Sequence, residues 1–161
     1  MNKDYVTEYK AQTVDGVQTV TFKINPKAAF NDGTPIDVNA VKSYQTIYTA
    51  AASGSDYQIT PSPIWEQVAS VEAVDGDTRH VKVTMSKPWY PIEGSFTSFL
   101  HPAFADPKFF NDGLNDKPLD QYWAGPFKVG EWNSSSKVLT VVRNEKWWGQ
   151  KPALELSLIH I

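Results

Sequence analysis

Three histidines and a scatter of aspartates are the residues here whose types could do covalent or acid–base chemistry. His80, His101 and His160 are the only histidines, and none lies in a GxSxG or similar nucleophile setting. Nucleophilic catalysis needs a base within reach of an activated serine or cysteine. Cysteine is absent, which also removes disulfides and zinc–thiolate sites. Asp106, Asp112, Asp116 and Asp120 offer carboxylates for a hydrolytic pair, but all sit in or beside a polar loop, where acids are solvated. Asp75-Gly76-Asp77 has the spacing of a calcium-loop fragment and lacks the remaining ligand positions. No phosphate-binding or dinucleotide fingerprint is present. The expectation is therefore a protein without catalytic residues, metal ligands or cofactor. What remains is non-covalent: six Trp, seven Tyr and eight Phe that either form core or grip a ligand by stacking.

The elements that would position these rings are legible in part. Residues 1–12 are polar and show no period. Val17–Ile24 alternates, with Val20, Phe22 and Ile24 on one face, and reads as a strand. Asn31-Asp32-Gly33-Thr34-Pro35 is turn chemistry, and Asp37 is placed to cap a helix from Val38 to about Ala51. Val38, Val41, Tyr44 and either Ile47 or Tyr48 would be its buried stripe. Val68–Val74 and Arg79–Met85 flank Asp75-Gly76-Asp77 as a hairpin. Phe96, Phe99 and Leu100 read as a short helical run, and Asp106-Pro107 as the start of a helix through Phe110. Asn111–Gln121 reads as a surface loop. Phe127–Trp132 and Lys137–Arg143, joined by Asn133-Ser134-Ser135-Ser136, predict a second hairpin. Leu156–Ile161 alternates as a strand would.

Two separated blocks of this pattern resemble one family. The first is Thr21-Phe22-Lys23-Ile24, then Phe30-Asn31-Asp32-Gly33-Thr34-Pro35, then Val38 to Val41 and Tyr44. The second is Gly125-Pro126-Phe127-Lys128-Val129, Glu131-Trp132, Arg143-Asn144 and Trp147-Trp148-Gly149-Gln150-Lys151-Pro152. Together they resemble the extracellular solute-binding proteins of peptide- and nickel-type ABC importers (bacterial family 5). The resemblance implies an α+β fold, a mixed sheet with helices, forming a partial first lobe of a two-lobe periplasmic-binding-protein-like (class II) fold. It further implies that residues 17–52 and 122–161 form the main part of the lobe, with about 53–121 an inserted subdomain and the second lobe absent. Val17–Ile24 and the Phe127–Arg143 hairpin would then share a sheet or pack directly together. Trp147 and Trp148, adjacent beyond a strand, would diverge, one into the core and one to the surface.

The same resemblance implies the partners: an oligopeptide or other small solute and ABC permease subunits, at the periplasmic or extracellular face of the membrane. Where the family has Gly-Thr-Gly-Pro, this sequence has Trp123-Ala124-Gly125-Pro126, in a loop that in the family lies near the cleft. Tyr122 and Trp123 are thus the candidate ligand-binding residues, with packing as their competing role. The start, Met1-Asn2-Lys3-Asp4-Tyr5, lacks the apolar core of a signal peptide, so leader, first strands and any anchor are expected outside this sequence. A net charge of −3 provides no basic excess for nucleic acid. No apolar run approaches the roughly 18 residues that span a bilayer. The competing reading is a free-standing carbohydrate-binding module, with Trp132, Trp147 and Trp148 as a flat stacking row.

Overall fold

Strand β2 (Val17–Ile24) buries Gln18, Val20, Phe22 and Ile24 and leaves the residues between them less covered, as its period of two demands. Strand β1 (Val6–Val14) pairs antiparallel along one edge, Val6 opposite Ile24 and Val14 opposite Val17. Strand β4 (Asp77–Met85) takes the other edge, with Phe22 opposite Val81, and β3 (Val68–Val74) pairs outside it. The sheet order is β1-β2-β4-β3. Both hairpins turn on Asp-Gly, at Asp15-Gly16 and Asp75-Gly76, with positive φ at all four residues, the geometry that matches the twist of the flanking strands. The computed structural model describes residues 2–116 and 118–160, the last three by backbone alone; the side chain of His160 lies outside the described residues.

Helix α1 (Val38–Ala52) packs against β3 and β4. The Asp37 carboxylate accepts the Asn39 N–H at 2.8 Å as its cap, and Val38, Val41 and Ile47 are buried. A second helix, α2 (Pro107–Asp112), starts at Asp106, whose carboxylate accepts the Phe109 N–H at 2.7 Å. The expected helix at Phe96–Leu100 does not form. Phe96 instead turns with φ 65° and seats its ring edge-on to Trp65, centroids 5.0 Å apart; apolar spacing over five residues does not distinguish a helical turn from a buried corner.

The second hairpin, β5 (Phe127–Asn133) and β6 (Val138–Arg143), is joined by β7 (Leu156–His160) in a separate sheet of order β5-β6-β7. Every pairing among these strands is antiparallel. Of the two arrangements expected for β2 and this hairpin, a shared sheet or direct packing, the shared sheet is excluded: both edges of β2 are already occupied, by β1 and β4. Nor is 53–121 set apart as an insertion, because its β3 and β4 complete the first sheet. The two sheets meet through the turn that carries Asn31 and Asp32. Asn31 and Asp32 donate their N–H groups to the carbonyls of Trp123 and Gln121, at 2.8 and 3.0 Å. Asn144, 5% exposed, spans the junction: its Nδ2 donates to Asn31 Oδ1 at 2.9 Å and to the Gly125 carbonyl at 2.8 Å.

Among the described residues, the buried apolar side chains form two clusters. The larger joins the first sheet to α1 and includes Phe22, Phe30, Ile36, Val83 and Phe96. The smaller is built on Ile47, Tyr57 and Phe104, with Phe109, Phe110 and Tyr122 against them. Trp147 and Trp148 diverge less than expected: Trp148 packs against the larger cluster and Trp147 does not, but neither is fully buried or fully exposed. Both are half-buried, their ring centroids 4.4 Å apart and planes tilted by 42°, and both lie against Tyr5.

Candidate functional site

A cleft of about 700 Å3 opens where the two clusters meet, a size within the usual range of small-molecule sites. Phe30, Ile36 and Phe99 supply one wall, from the strand-to-helix turn and the corner before Pro102. Leu100, Phe104, Phe110 and Tyr122 supply the other, and Trp123, Ala124 and Tyr5 close one end. Tyr122 and Trp123, the two residues singled out from sequence, therefore both line the same cleft, and both are half-buried. Tyr122 comes from a single 3-10 turn, Asp120–Tyr122, and the carbonyl of Trp123 is held by the Asn31 N–H. The loop is thus tied down from the first sheet.

His101 is the buried polar group of this cleft, 7% exposed. Its Nδ1 accepts the Ala103 N–H at 3.1 Å, which leaves the ring proton on Nε2, 3.1 Å from Asp32 Oδ2. Asp32 Oδ1 also accepts the Thr34 N–H at 2.8 Å, and Oδ2 the Thr34 hydroxyl at 3.0 Å. Partial burial pushes the Asp32 carboxyl upward, but the Thr34 donors and His101 outweigh it and hold the group below its ordinary value. The imidazole is edge-on to Phe30 and to Tyr122, with centroids at 4.8 and 4.7 Å, an arrangement aromatic quadrupoles favour. Burial raises the pKa of Tyr5, with the charge of Asp4 adding to it, so this phenol stays neutral at the cleft end.

The other sequence candidates are dispersed. His80 lies on β4, paired with Lys23 of β2 and remote in register from the cleft. Asp106 caps α2, Asp112 accepts from the Asn115 amide at 3.2 Å, and Asp120 accepts the Val129 N–H at 2.7 Å. Asp75 forms a turn. Among the described residues no three His, Asp or Glu side chains gather closely enough to hold a metal ion. The flat tryptophan row is not there either: Trp132 donates its indole N–H to the Asp116 carbonyl at 3.3 Å, and the Trp147–Trp148 pair is tilted and packed on Tyr5. Sequence reasoning missed the Asp32–His101 pair. Asp32 reads as a turn residue, which it also is, and nothing in the spacing of 69 residues signals their contact.

Residues 6–157 match the family described as bacterial extracellular solute-binding proteins, family 5, middle region. The chain is 36% identical over 142 residues to the oligopeptide-binding protein OppA of Mycobacterium tuberculosis, an alignment covering 86% of this chain and 23% of that protein. Among solved structures, the periplasmic EDTA-binding protein EppA superposes with a TM-score of 0.81 at 24% identity, over 97% of this chain and 29% of that one. The periplasmic binding protein DppA of Helicobacter pylori, in complex with the peptide STSA, superposes with a TM-score of 0.62 at 20% identity, over 97% of this chain and 33% of that one. The chain thus spans about a quarter of the length of the curated relatives it matches. Its fold is α+β and corresponds to a partial first lobe of a two-lobe periplasmic binding protein. A family match running from β1 into β7, on a structure that follows the family's fold, makes this chain a member of the bacterial extracellular solute-binding proteins of family 5.

Proposed function

We propose that this chain forms one wall of the solute cleft in a non-catalytic binding component of an ABC importer. In this reading the component captures oligopeptides on the periplasmic or extracellular face and hands them to the membrane permease. The observation that carries it is the cleft itself, with Tyr122 and Trp123 side by side in its lining. The kinship with an oligopeptide-binding protein over 86% of the chain supports the choice of solute. A two-lobe binder holds its ligand by closing both faces about a hinge. One lobe alone has half the contacts and retains the full cost of association.

Calorimetric titration tests this directly. The 161-residue chain alone should bind tri- to pentapeptides no more tightly than about 1 mM, roughly 4 kcal/mol. The full-length protein containing it should bind them at micromolar levels or better, and Trp123→Ala or Tyr122→Ala should weaken that at least tenfold. Micromolar binding of a glycan by the single lobe, or full affinity in both variants, would overturn the reading.

A further inference from the structure

We infer that the cleft seats an uncharged aromatic or branched aliphatic side chain of a peptide and excludes anionic groups, metal chelates among them. This rests on the solute-capture reading above and narrows it. The walls are rings and aliphatic chains, Phe30, Phe99, Phe104, Tyr122 and Trp123 foremost, and among the described residues no lysine, arginine, aspartate or glutamate lines them. The one imidazole has no free valence. His101 Nδ1 accepts from Ala103 and Nε2 faces Asp32, so neither a lone pair for a metal nor a spare N–H for a carboxylate points into the space. Behind the imidazole stands the Asp32 carboxylate, held ionised by two Thr34 donors, and its field opposes a second negative charge. Among the described residues no three His, Asp or Glu side chains cluster to ligate a cation. An anion entering here would exchange its hydration for the neutral hydroxyl and indole donors of Tyr5, Tyr122 and Trp123, with no cation among the described lining residues to balance its charge, whereas a phenyl or leucyl group loses nothing and meets aromatic walls already in place. The lining also has a polar part: Asn2 and Ser98 are exposed and Thr97 is half-buried, which suits the polar backbone of a peptide whose side chain points inward.

The experiment is titration of the full-length protein with alanine tripeptides carrying Phe, Leu, Lys or Glu at each position in turn, and with Fe(III)-EDTA as an anionic chelate. At one position Phe and Leu should bind at least tenfold tighter than Glu, and Fe(III)-EDTA should not bind. Leu114, at the cleft edge and 37% exposed, allows a charge to be added with little risk to folding. Leu114→Lys should weaken the Phe tripeptide at least threefold and strengthen the Glu tripeptide. Equal affinity for all four tripeptides, or an unchanged ranking in Leu114→Lys, sinks this inference and leaves peptide capture standing. Binding of Fe(III)-EDTA with none of the peptides, or binding of no probe at all, sinks both.

Discussion

Replacing Asn144 by alanine should do more damage than its size suggests. The amide nitrogen has two hydrogens and both are used, on Asn31 Oδ1 and on the Gly125 carbonyl, while Oδ1 accepts the Lys146 N–H at 3.0 Å. Truncation leaves two acceptors without a donor inside a junction where Asn31 is 8% exposed. Asn31 cannot turn its own amide to compensate, since its Nδ2 is engaged by the Asp120 carbonyl at 3.0 Å. At about 1–3 kcal/mol for each buried unsatisfied group, and with the exposed Lys146 N–H rescued by water, the loss should be about 3 kcal/mol. Urea unfolding with a slope of about 2 kcal/mol per molar would register this as a midpoint lowered by roughly 1.5 M. Asn144→Asp keeps the shape but sets a carboxylate oxygen against two acceptors, so it should be at least as harmful as alanine. A midpoint shift below about 0.5 M for alanine, or a milder effect of aspartate, would refute the claim that this amide joins the two sheets.

Trp148 packs against the larger core and donates its indole N–H to the Asp4 carbonyl at 2.7 Å, so Trp148→Ala should cost about 3 kcal/mol. Trp147→Ala should cost about half that in the same titration, because the Trp147 indole bonds the nearby Gln150 carbonyl at an exposed position and does not pack against the larger core. At Gly149 an added Cβ would meet the Trp147 ring at 2.6 Å and the Asp4 carboxylate at 2.8 Å; Gly149→Ala should lower stability by about 1–3 kcal/mol, read as a fall in thermal midpoint. Asp32 has a lowered folded pKa, so the stability it contributes is present above its unfolded value near ~3.9 and is lost as pH falls through the lower folded value. Comparing Asp32→Asn with the parent across pH 2–6 should show the difference vanish at the acid end, and a difference that stays constant would contradict the linkage.

How far the fold was legible depends on whether its signals are local. Asp37 and the Val38, Val41, Ile47 stripe announce α1, and the observed helix differs only by one residue at its end. Asp75-Gly76 announces one hairpin. Asp15-Gly16 announces another with the same dipeptide and the same two positive φ values, yet β1 escaped notice. As an edge strand it buries Val6 alone, and its register slips between Val6 and Glu8, so the alternation that marks a strand is broken where it would be read. The missing β1 then misplaced β2. A strand with neither edge assigned is free to pair with the distant hairpin, and once β1 and β4 occupy both edges that pairing is excluded.

Two residues of the candidate cleft were within reach of the sequence for a different reason. Tyr122 and Trp123 were reached through a departure from a family pattern, a bulky indole where the pattern has glycine, and no periodicity would have found them. Their partners across the cleft were out of reach, because Phe30 belongs to a turn, and Phe99 and His101 to a stretch whose apolar spacing reads as helical but folds as a corner. What brings them together is the polar ladder from Asn144 through Asn31 to Asp120, which runs between the sheets and fixes the Trp123 loop over the strand-to-helix turn. Buried amides of this kind are demanding: every donor must find its acceptor or the junction loses free energy. That demand gives one arrangement of the loop an advantage over its neighbours, and with it one shape of the cleft wall. The aromatic lining decides what chemistry can enter, but the amides decide where the lining stands.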